Sequence, residues 1–311
     1  MTMIPTKAQG HPCFDESAHH RVGRMHIPVA PACNIKCRYC YREIGGGDNR
    51  PGVAYKILKP AEALEAVRSV VATDETIKVI GVAGPGDALA NDATFDSLAR
   101  IHKEFPHLKK CISTNGLRLA ECVDDLARAG VSTISVTVNA VKPSVGREFY
   151  RKVRLDGRNY FENAFDVLGV RQLAGIEAAV SEGLVVKVNT VLVPEVNGAH
   201  IEDIARTLKA LGVSLMNIMP LKPLGDMSGY RAPTCLELEE ARYYAEKHVE
   251  QFRACKQCRA DAVGIPGSAT HPGHDHAAGT RTSRDNGAKG AKGAGERRTL
   301  TDIFTGVPLY H

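Results

Sequence analysis

From Arg24 onward, short β-branched runs alternate with segments whose apolar residues recur at helical spacing. The runs at 24–30, 77–83, 110–114, 133–138, 185–192 and 215–219 read as strands, and the stretches at 60–72, 93–105, 122–129, 160–182, 201–211 and 236–253 as helices. In the first helix, Ala61, Leu64, Val67, Val70 and Val71 make one apolar face and Pro60 sits in the first turn, where proline is tolerated. In the fifth, Ile201, Ile204, Ala205, Leu208 and Leu211 do the same, and Gly212 marks the stop. Repeated strand–helix units build a parallel sheet with right-handed crossovers. Six of them predict an α/β fold, a partial (β/α)6 barrel of the TIM type, with functional loops at the C-terminal ends of the strands.

The pattern divides the chain into an N-terminal segment (1–23), the barrel (24–265), a flexible low-complexity tail (266–299) and a short apolar C-terminal segment (300–311). The tail is rich in Gly, Ala, His, Lys and Arg and has almost no large apolar residue, so it cannot bury enough surface to order itself. Its His271, His274 and His276 read as a solvated cluster rather than a metal site.

Charge adds little. Lys and Arg total 40 against 35 Asp and Glu, a net of +5. Between His271 and Arg298 there are six basic and three acidic residues, so the tail supplies +3 and the remainder +2. A nearly neutral folded part argues against a nucleic-acid surface. With neither a signal-peptide pattern nor a bilayer-length apolar run, the chain reads as cytoplasmic, without a membrane partner. Nine cysteines in such a chain point to metal ligation rather than disulfides.

Cys33, Cys37 and Cys40 form a C-x3-C-x2-C loop directly after the first strand. Three thiolates on one compact loop can hold three irons of a [4Fe–4S] cluster and leave the fourth iron open. The competing reading, a structural zinc site, wants a fourth ligand in paired knuckles, which this loop lacks. The spacing, Tyr39 beside the last cysteine and the place after the first strand resemble the radical S-adenosylmethionine (SAM) superfamily. That resemblance implies a cluster that chelates SAM and cleaves it reductively. Other strand ends then read as a SAM cradle: Gly84, Gly86 and Asp87 after the second, Thr114 and Asn115 after the third, Asn139 after the fourth and Asn189 along the fifth. Each alone is weak, since an Asn at a strand end is more often a turn or cap residue.

Several stretches together resemble one family, the nitrogenase iron–molybdenum cofactor maturases of the NifB type. They are His11-Pro12-Cys13-Phe14, Glu16 to His20, His26 to Cys40, Arg50-Pro51-Gly52-Val53, Ala83 to Asp87, Ser113 to Leu117 and Cys255 to Ala262. The resemblance implies a lyase-type radical SAM enzyme that fuses two auxiliary [4Fe–4S] clusters, inserting a carbide from a SAM methyl group and a sulfur, to give an eight-iron cofactor precursor. By position, Cys13, Cys255 and Cys258 would hold one auxiliary cluster, and His26 with Cys111 part of the other. The partners it implies are iron–sulfur donor proteins, a reductant such as ferredoxin or flavodoxin, and a cofactor carrier or scaffold protein.

Alternatives stay open at the level of residues. Cys255-x2-Cys258 also fits a zinc knuckle, and His26 also fits a satisfied core histidine, with His19 and His20 as competing ligands. The chain departs from the family where relatives carry a further cysteine shortly after the triplet: here stands Gly45-Gly46-Gly47. One of the one or two auxiliary clusters thereby lacks a ligand, for which Cys122 and Cys235 are the unassigned candidates. It also resembles the shorter members, without a C-terminal carrier-like domain. Two other functions share the frame: a divergent radical SAM methylase or modifying enzyme lacking that cluster, and a non-catalytic iron–sulfur scaffold.

Overall fold

The computed structural model describes residues 5–268. Six strands, β1 (Gly23–His26), β2 (Ile77–Val82), β3 (Lys109–Thr114), β4 (Val131–Thr137), β5 (Val185–Leu192) and β6 (Leu215–Pro220), lie side by side in chain order. Every neighbouring pair is parallel. Two short strands extend the sheet: β7 (Glu250–Gln251) runs parallel to β6, and β8 (Val263–Gly264) antiparallel to β1. The sheet's order is linear and its ends do not pair, so it is the expected α/β partial barrel. The strands are buried almost throughout, because helices cover the outside and side chains fill the inside.

The longer helices are α1 (Pro60–Thr73), α2 (Asp92–Glu104), α3 (Leu119–Arg128), α4 (Ala164–Ser181), α5 (Ile201–Ala210) and α6 (Cys235–Glu246). In α1 the buried residues are Ala63, Ala66, Val67 and Val70, with Leu64 and Val71 partly covered and Ala61 exposed, so the packed face is turned from the one expected. In α5, Ile201, Ile204, Ala205 and Leu208 are buried, and Gly212, at φ +78°, lets the chain turn away. Helix α6 ends at Glu246, short of the expected Arg253, because the next residues pair with β6.

The expected helix from Tyr160 begins only at Ala164, since Tyr150–Leu155 and Arg158–Tyr160 form a hairpin. Asp156 (φ 49°) and Gly157 (φ 77°) both take left-handed backbone, the geometry of a tight hairpin turn. The hairpin's first strand also pairs with Ile35–Cys37, making a three-stranded sheet over the cysteine loop. A second core of Ile35, Phe149, Tyr150, Val153 and Phe165 lies under it, with Cys33, Cys37 and Tyr39 packed against it.

Among the described residues no helix is long and apolar enough to cross a membrane. The expected tail and apolar C-terminal segment, from residue 269 onward, lie outside the described residues.

Candidate functional site

A cavity of about 310 Å³, within the range of small-molecule sites, opens at the C-terminal ends of β1 to β6. Seven of the nine cysteines line it: Cys13, Cys33, Cys37, Cys40, Cys111, Cys255 and Cys258. The other two do not. Cys122 is buried on α3 against the core and Cys235 is exposed at the start of α6, so neither supplies the ligand missing from the glycine loop.

The triplet loop is clamped from both sides. Arg38 donates its N–H to the Phe149 carbonyl at 2.8 Å, and Arg154 its N–H to the Asn34 carbonyl at 2.7 Å. Asp226 donates to the Arg38 carbonyl at 2.7 Å; a Cβ at neighbouring Gly225 would stand 2.6 Å from that oxygen. Burial pushes the Cys33 thiol up to about 11 and raises Cys37 and Cys40, so without metal the three stay protonated. Iron binding would displace those protons to solvent. The Tyr39 ring stands edge-on to Phe149, with centroids 6.3 Å apart. Among the described residues no three His, Cys, Asp or Glu converge as a single metal ion requires. Thiols spread along one loop fit a multi-iron cluster instead, each taking a separate iron.

The segment after β2 is built differently from the expected cradle. A Cβ on Gly86 would lie 2.1 Å from the Ala32 carbonyl oxygen, and the backbones meet there: Gly86 donates to Ala30 at 2.6 Å and Asp87 to Ala32 at 2.9 Å. The glycine admits the strand leading into the cysteine loop. Gly84, at φ +118°, faces Gly86 and Ala260 and lies behind the cavity wall. The Asp87 carboxylate accepts from the Asn115 N–H at 2.6 Å, the Thr114 hydroxyl at 3.0 Å and the Leu89 N–H at 3.0 Å. Burial holds its carboxyl above the ordinary range against these donors. Asp87 therefore ties β2 to β3, while Thr114 and Asn115 line the cavity.

Asn189 also lines the cavity, its Oδ1 accepting from Asn217 at 3.0 Å. Asn139 does not. Its Nδ2 donates to the Tyr39 and Tyr150 hydroxyls at 3.1 and 3.2 Å and its Oδ1 accepts from the Val191 N–H at 2.9 Å, which leaves no polar atom for a ligand.

On the opposite wall, His26 ends β1 and Cys111 lies on β3. A Cβ added to Gly81 between them would stand 2.8 Å from Cys111 Sγ and 3.1 Å from His26 Cδ2. His26 Nδ1 bonds the Arg259 carbonyl at 3.0 Å, so Nδ1 carries the proton and Nε2 a lone pair, the tautomer of a metal-binding histidine. Burial, with the Arg24 cation adding to it, pushes its pKa down to about 4, and burial pushes the Cys111 thiol up to about 12. Arg259 itself bonds Asp261 at 2.8 Å and the carbonyls of Gly46 and Asp48 at 3.0 and 2.9 Å. It thereby holds the glycine loop close behind His26, although Gly45, Gly46 and Gly47 are not part of the cavity wall.

Cys13, Cys255 and Cys258 form the third group. Burial pushes the Cys13 thiol up to about 11. Lys187 donates to the Cys13 carbonyl at 2.6 Å with its ammonium over the rings of Phe14 and Phe252. Arg24 donates to Cys258 Sγ at 2.9 Å. Sequence reasoning missed both buried cations; for Lys187 the available signal was its place mid-strand, where an ionised side chain is unusual. The charged residues of the cavity wall are Arg42, Arg50, Lys187, Lys222 and Lys256 against the internally paired Asp87. Thiolate-ligated clusters and the SAM carboxylate are anionic, and this wall suits them.

The family model of the radical SAM superfamily matches residues 27–208. Over 258 residues the chain is 47% identical to the FeMo cofactor biosynthesis protein NifB of Methanocaldococcus jannaschii, covering 82% of this chain and 86% of that protein. It is 39% identical over 272 residues to NifB of Azotobacter vinelandii, covering 85% of this chain and 54% of that longer protein. Among solved structures, Streptococcus suis SuiB bound to S-adenosylmethionine superposes with a TM-score of 0.52 at 13% identity, over 75% of this chain and 52% of that one. A radical SAM methyltransferase from Sphaerobacter thermophilus gives 0.51 at 19%, over 75% and 64%. At those identities the structural likeness speaks for the fold alone. Radical SAM membership brings with it a [4Fe–4S] cluster and SAM. On this match of fold and sequence, the chain belongs to the NifB family of the radical SAM superfamily.

Proposed function

We propose that this protein works in FeMo cofactor biosynthesis, joining two [4Fe–4S] substrate clusters, with a SAM-derived carbide and an added sulfur, into an eight-iron precursor. The observation that carries the reading is the shared cavity: the triplet, the strand-end polar residues and seven further thiol or imidazole groups face one space. Cys33, Cys37 and Cys40 would hold the cluster that meets SAM. Bound there, such a cluster supplies the electron that cleaves a carbon–sulfur bond of SAM homolytically. Around it, Asn139 holds Tyr39, and Asp87 fixes the positions of Thr114 and Asn115, which with Asn189 would orient SAM. Cys13, Cys255 and Cys258 would carry one substrate cluster; His26 and Cys111 would carry part of the other. Lys187 and Arg24 offset the negative charge of thiolate-bound iron. Electrons would come from a ferredoxin or flavodoxin, and the product would pass to a carrier protein.

A second reading rests on Gly45 to Gly47, which offer no side-chain ligand behind His26. On it the enzyme is a divergent radical SAM methylase or modifying enzyme with a single auxiliary cluster. Iron and acid-labile sulfide after anaerobic reconstitution separate the two. About twelve irons per chain, with a SAM-dependent change in part of the paramagnetic resonance signal, support cluster fusion. About eight, with SAM still cleaved, favour the second reading.

A further inference from the structure

Three histidines of the N-terminal half are buried against the cavity, and their hydrogen bonds give them different chemistry. His11 accepts the Cys13 N–H on Nδ1 at 3.1 Å, so its neutral ring presents an N–H at Nε2. His19 is the reverse. Its Nδ1 lies 2.6 Å from the Pro12 carbonyl, which can only accept, so Nδ1 carries the proton and Nε2 a lone pair. His19 is 2% exposed and its Nε2 has no hydrogen-bond partner. His26 shares that tautomer and is already accounted for. Among these rings, His19 is the lone-pair donor that the site described above does not use.

Its surroundings belong to the third group of thiols. The His19 ring stands edge-on to Phe252, with centroids 5.7 Å apart. Phe252 is in the small core against which Cys13 and Cys255 pack, and its other neighbour is Lys187, bonded to the Cys13 carbonyl. The carbonyl that orients His19 is that of Pro12, the residue before Cys13. His20, next in sequence, is exposed. The fold thus fixes one imidazole lone pair on the wall of the cavity that the three cysteines also line, oriented by the carbonyl of the residue before the first of them.

We infer that His19 Nε2 is the fourth protein ligand of the iron–sulfur cluster held by Cys13, Cys255 and Cys258. The inference rests on the assignment of those cysteines in the proposed function. Three thiolates leave one iron of a [4Fe–4S] cluster without a protein donor, and a buried nitrogen lone pair lacks a partner; each supplies the other's need. A bond from Nδ1 to a backbone carbonyl is the arrangement that orients metal-bound histidines. A neutral imidazole also leaves the cluster less negative than a fourth thiolate would.

The test is nitrogen hyperfine spectroscopy on the reduced, anaerobically reconstituted full chain, with 15N-histidine labelling and SAM omitted so that its amino group contributes nothing. His26→Ala removes the other histidine. Expected is a label-sensitive coupling that persists in His26→Ala and disappears in His26→Ala/His19→Asn at unchanged iron content. Asparagine keeps a donor for the Pro12 carbonyl and loses only the Nε2 position, so the variant should melt within about 2 °C of its parent. The inference is overturned if His26→Ala retains its iron without the coupling, or if the coupling survives His19→Asn. Iron in Cys13→Ala/Cys255→Ala/Cys258→Ala is read separately: a drop of about four per chain supports the cluster, and no drop removes the cluster assignment and the ligand with it.

Discussion

Arg24 donates from Nη2 to Cys258 Sγ at 2.9 Å, a guanidinium held 1% exposed on the first barrel strand and aimed at a thiol 234 residues later. Hydrogen bonds to a cluster's sulfurs stabilise its more negative, reduced state. Arg24→Gln should therefore lower the reduction potential of the Cys258 cluster, by about 40 mV for each kcal/mol lost from the reduced state. A redox titration followed by paramagnetic resonance reads this directly; an unchanged potential would show that Arg24 serves packing alone.

Cys37→Ala should remove about four irons per chain and abolish formation of 5′-deoxyadenosine, while leaving the fold intact, because the loop is held by backbone bonds to Phe149 and Arg154. Chromatography of the reaction mixture measures the cleavage. Reductive cleavage at the parent rate in this variant would rule out the triplet as the SAM-binding cluster.

Gly86→Ala sets a Cβ against the backbone of Ala32, with the carbonyl carbon at 2.6 Å. Backbone cannot yield as a flexible side chain does, so a cost of ~1–3 kcal/mol is expected. For a chain of this size that corresponds to a fall in Tm of roughly 2–12 °C, with reduced iron loading because the displaced segment leads into Cys33. Calorimetry on the apo and reconstituted forms would find both, and a Tm within a degree of the parent would contradict the clamp.

Gly47→Cys restores a thiol to the glycine loop at its least costly position. A Cβ there meets nothing within 4 Å and the backbone is not left-handed, whereas Gly45 has φ +87° and a Cβ on Gly46 would strike Glu43. If a missing thiolate is all that limits the His26 and Cys111 site, iron should rise by about four per chain. Unchanged iron would mean that this loop no longer serves that site.

Lys110 is buried on β3 with its ammonium on the Phe105 carbonyl at 2.6 Å, and burial pushes its pKa down to about 8. The unfolded chain then binds more protons than the folded one between about pH 8 and the ordinary lysine range near 10.4, so this residue makes stability rise with pH across that window. Denaturant titrations at pH 8 and 10 should show a smaller gain, or a larger loss, in Lys110→Met than in the parent. Equal slopes would mean that Lys110 titrates as an exposed lysine.

The barrel was legible because its strands are β-branched runs buried on both faces and its helices keep one apolar stripe. The cysteine loop was legible because three thiols at fixed spacing have few other uses. The hairpin at Tyr150 to Tyr160 was missed although its signal is present: Asp156-Gly157 stands between Val153 and Leu155 on one side and Tyr160 on the other, a two-residue turn flanked by alternating apolar positions. The tie from Asp87 to Asn115 and the saturation of Asn139 could not be read, because a polar residue at a strand end looks the same whether it meets a ligand or its own backbone. Arg24 and Lys187 were hidden for a related reason. Their partners are backbone carbonyls, a sulfur and aromatic faces, none of which leaves a complementary charge in the sequence.

The strand at Val263–Gly264 pairs with the one at Gly23–His26, so the last piece of sheet to be synthesised lies against the first. The ribosome must release nearly the whole described chain before Cys255 and Cys258 can reach Cys13, whereas the segments that clamp the triplet loop, the hairpin near Tyr150 and the turn at Gly225–Asp226, emerge earlier. Translation therefore orders the thiol groups: the triplet loop can be clamped on a nascent chain, and Cys13 meets its two distant cysteines only once residue 258 has left the ribosome.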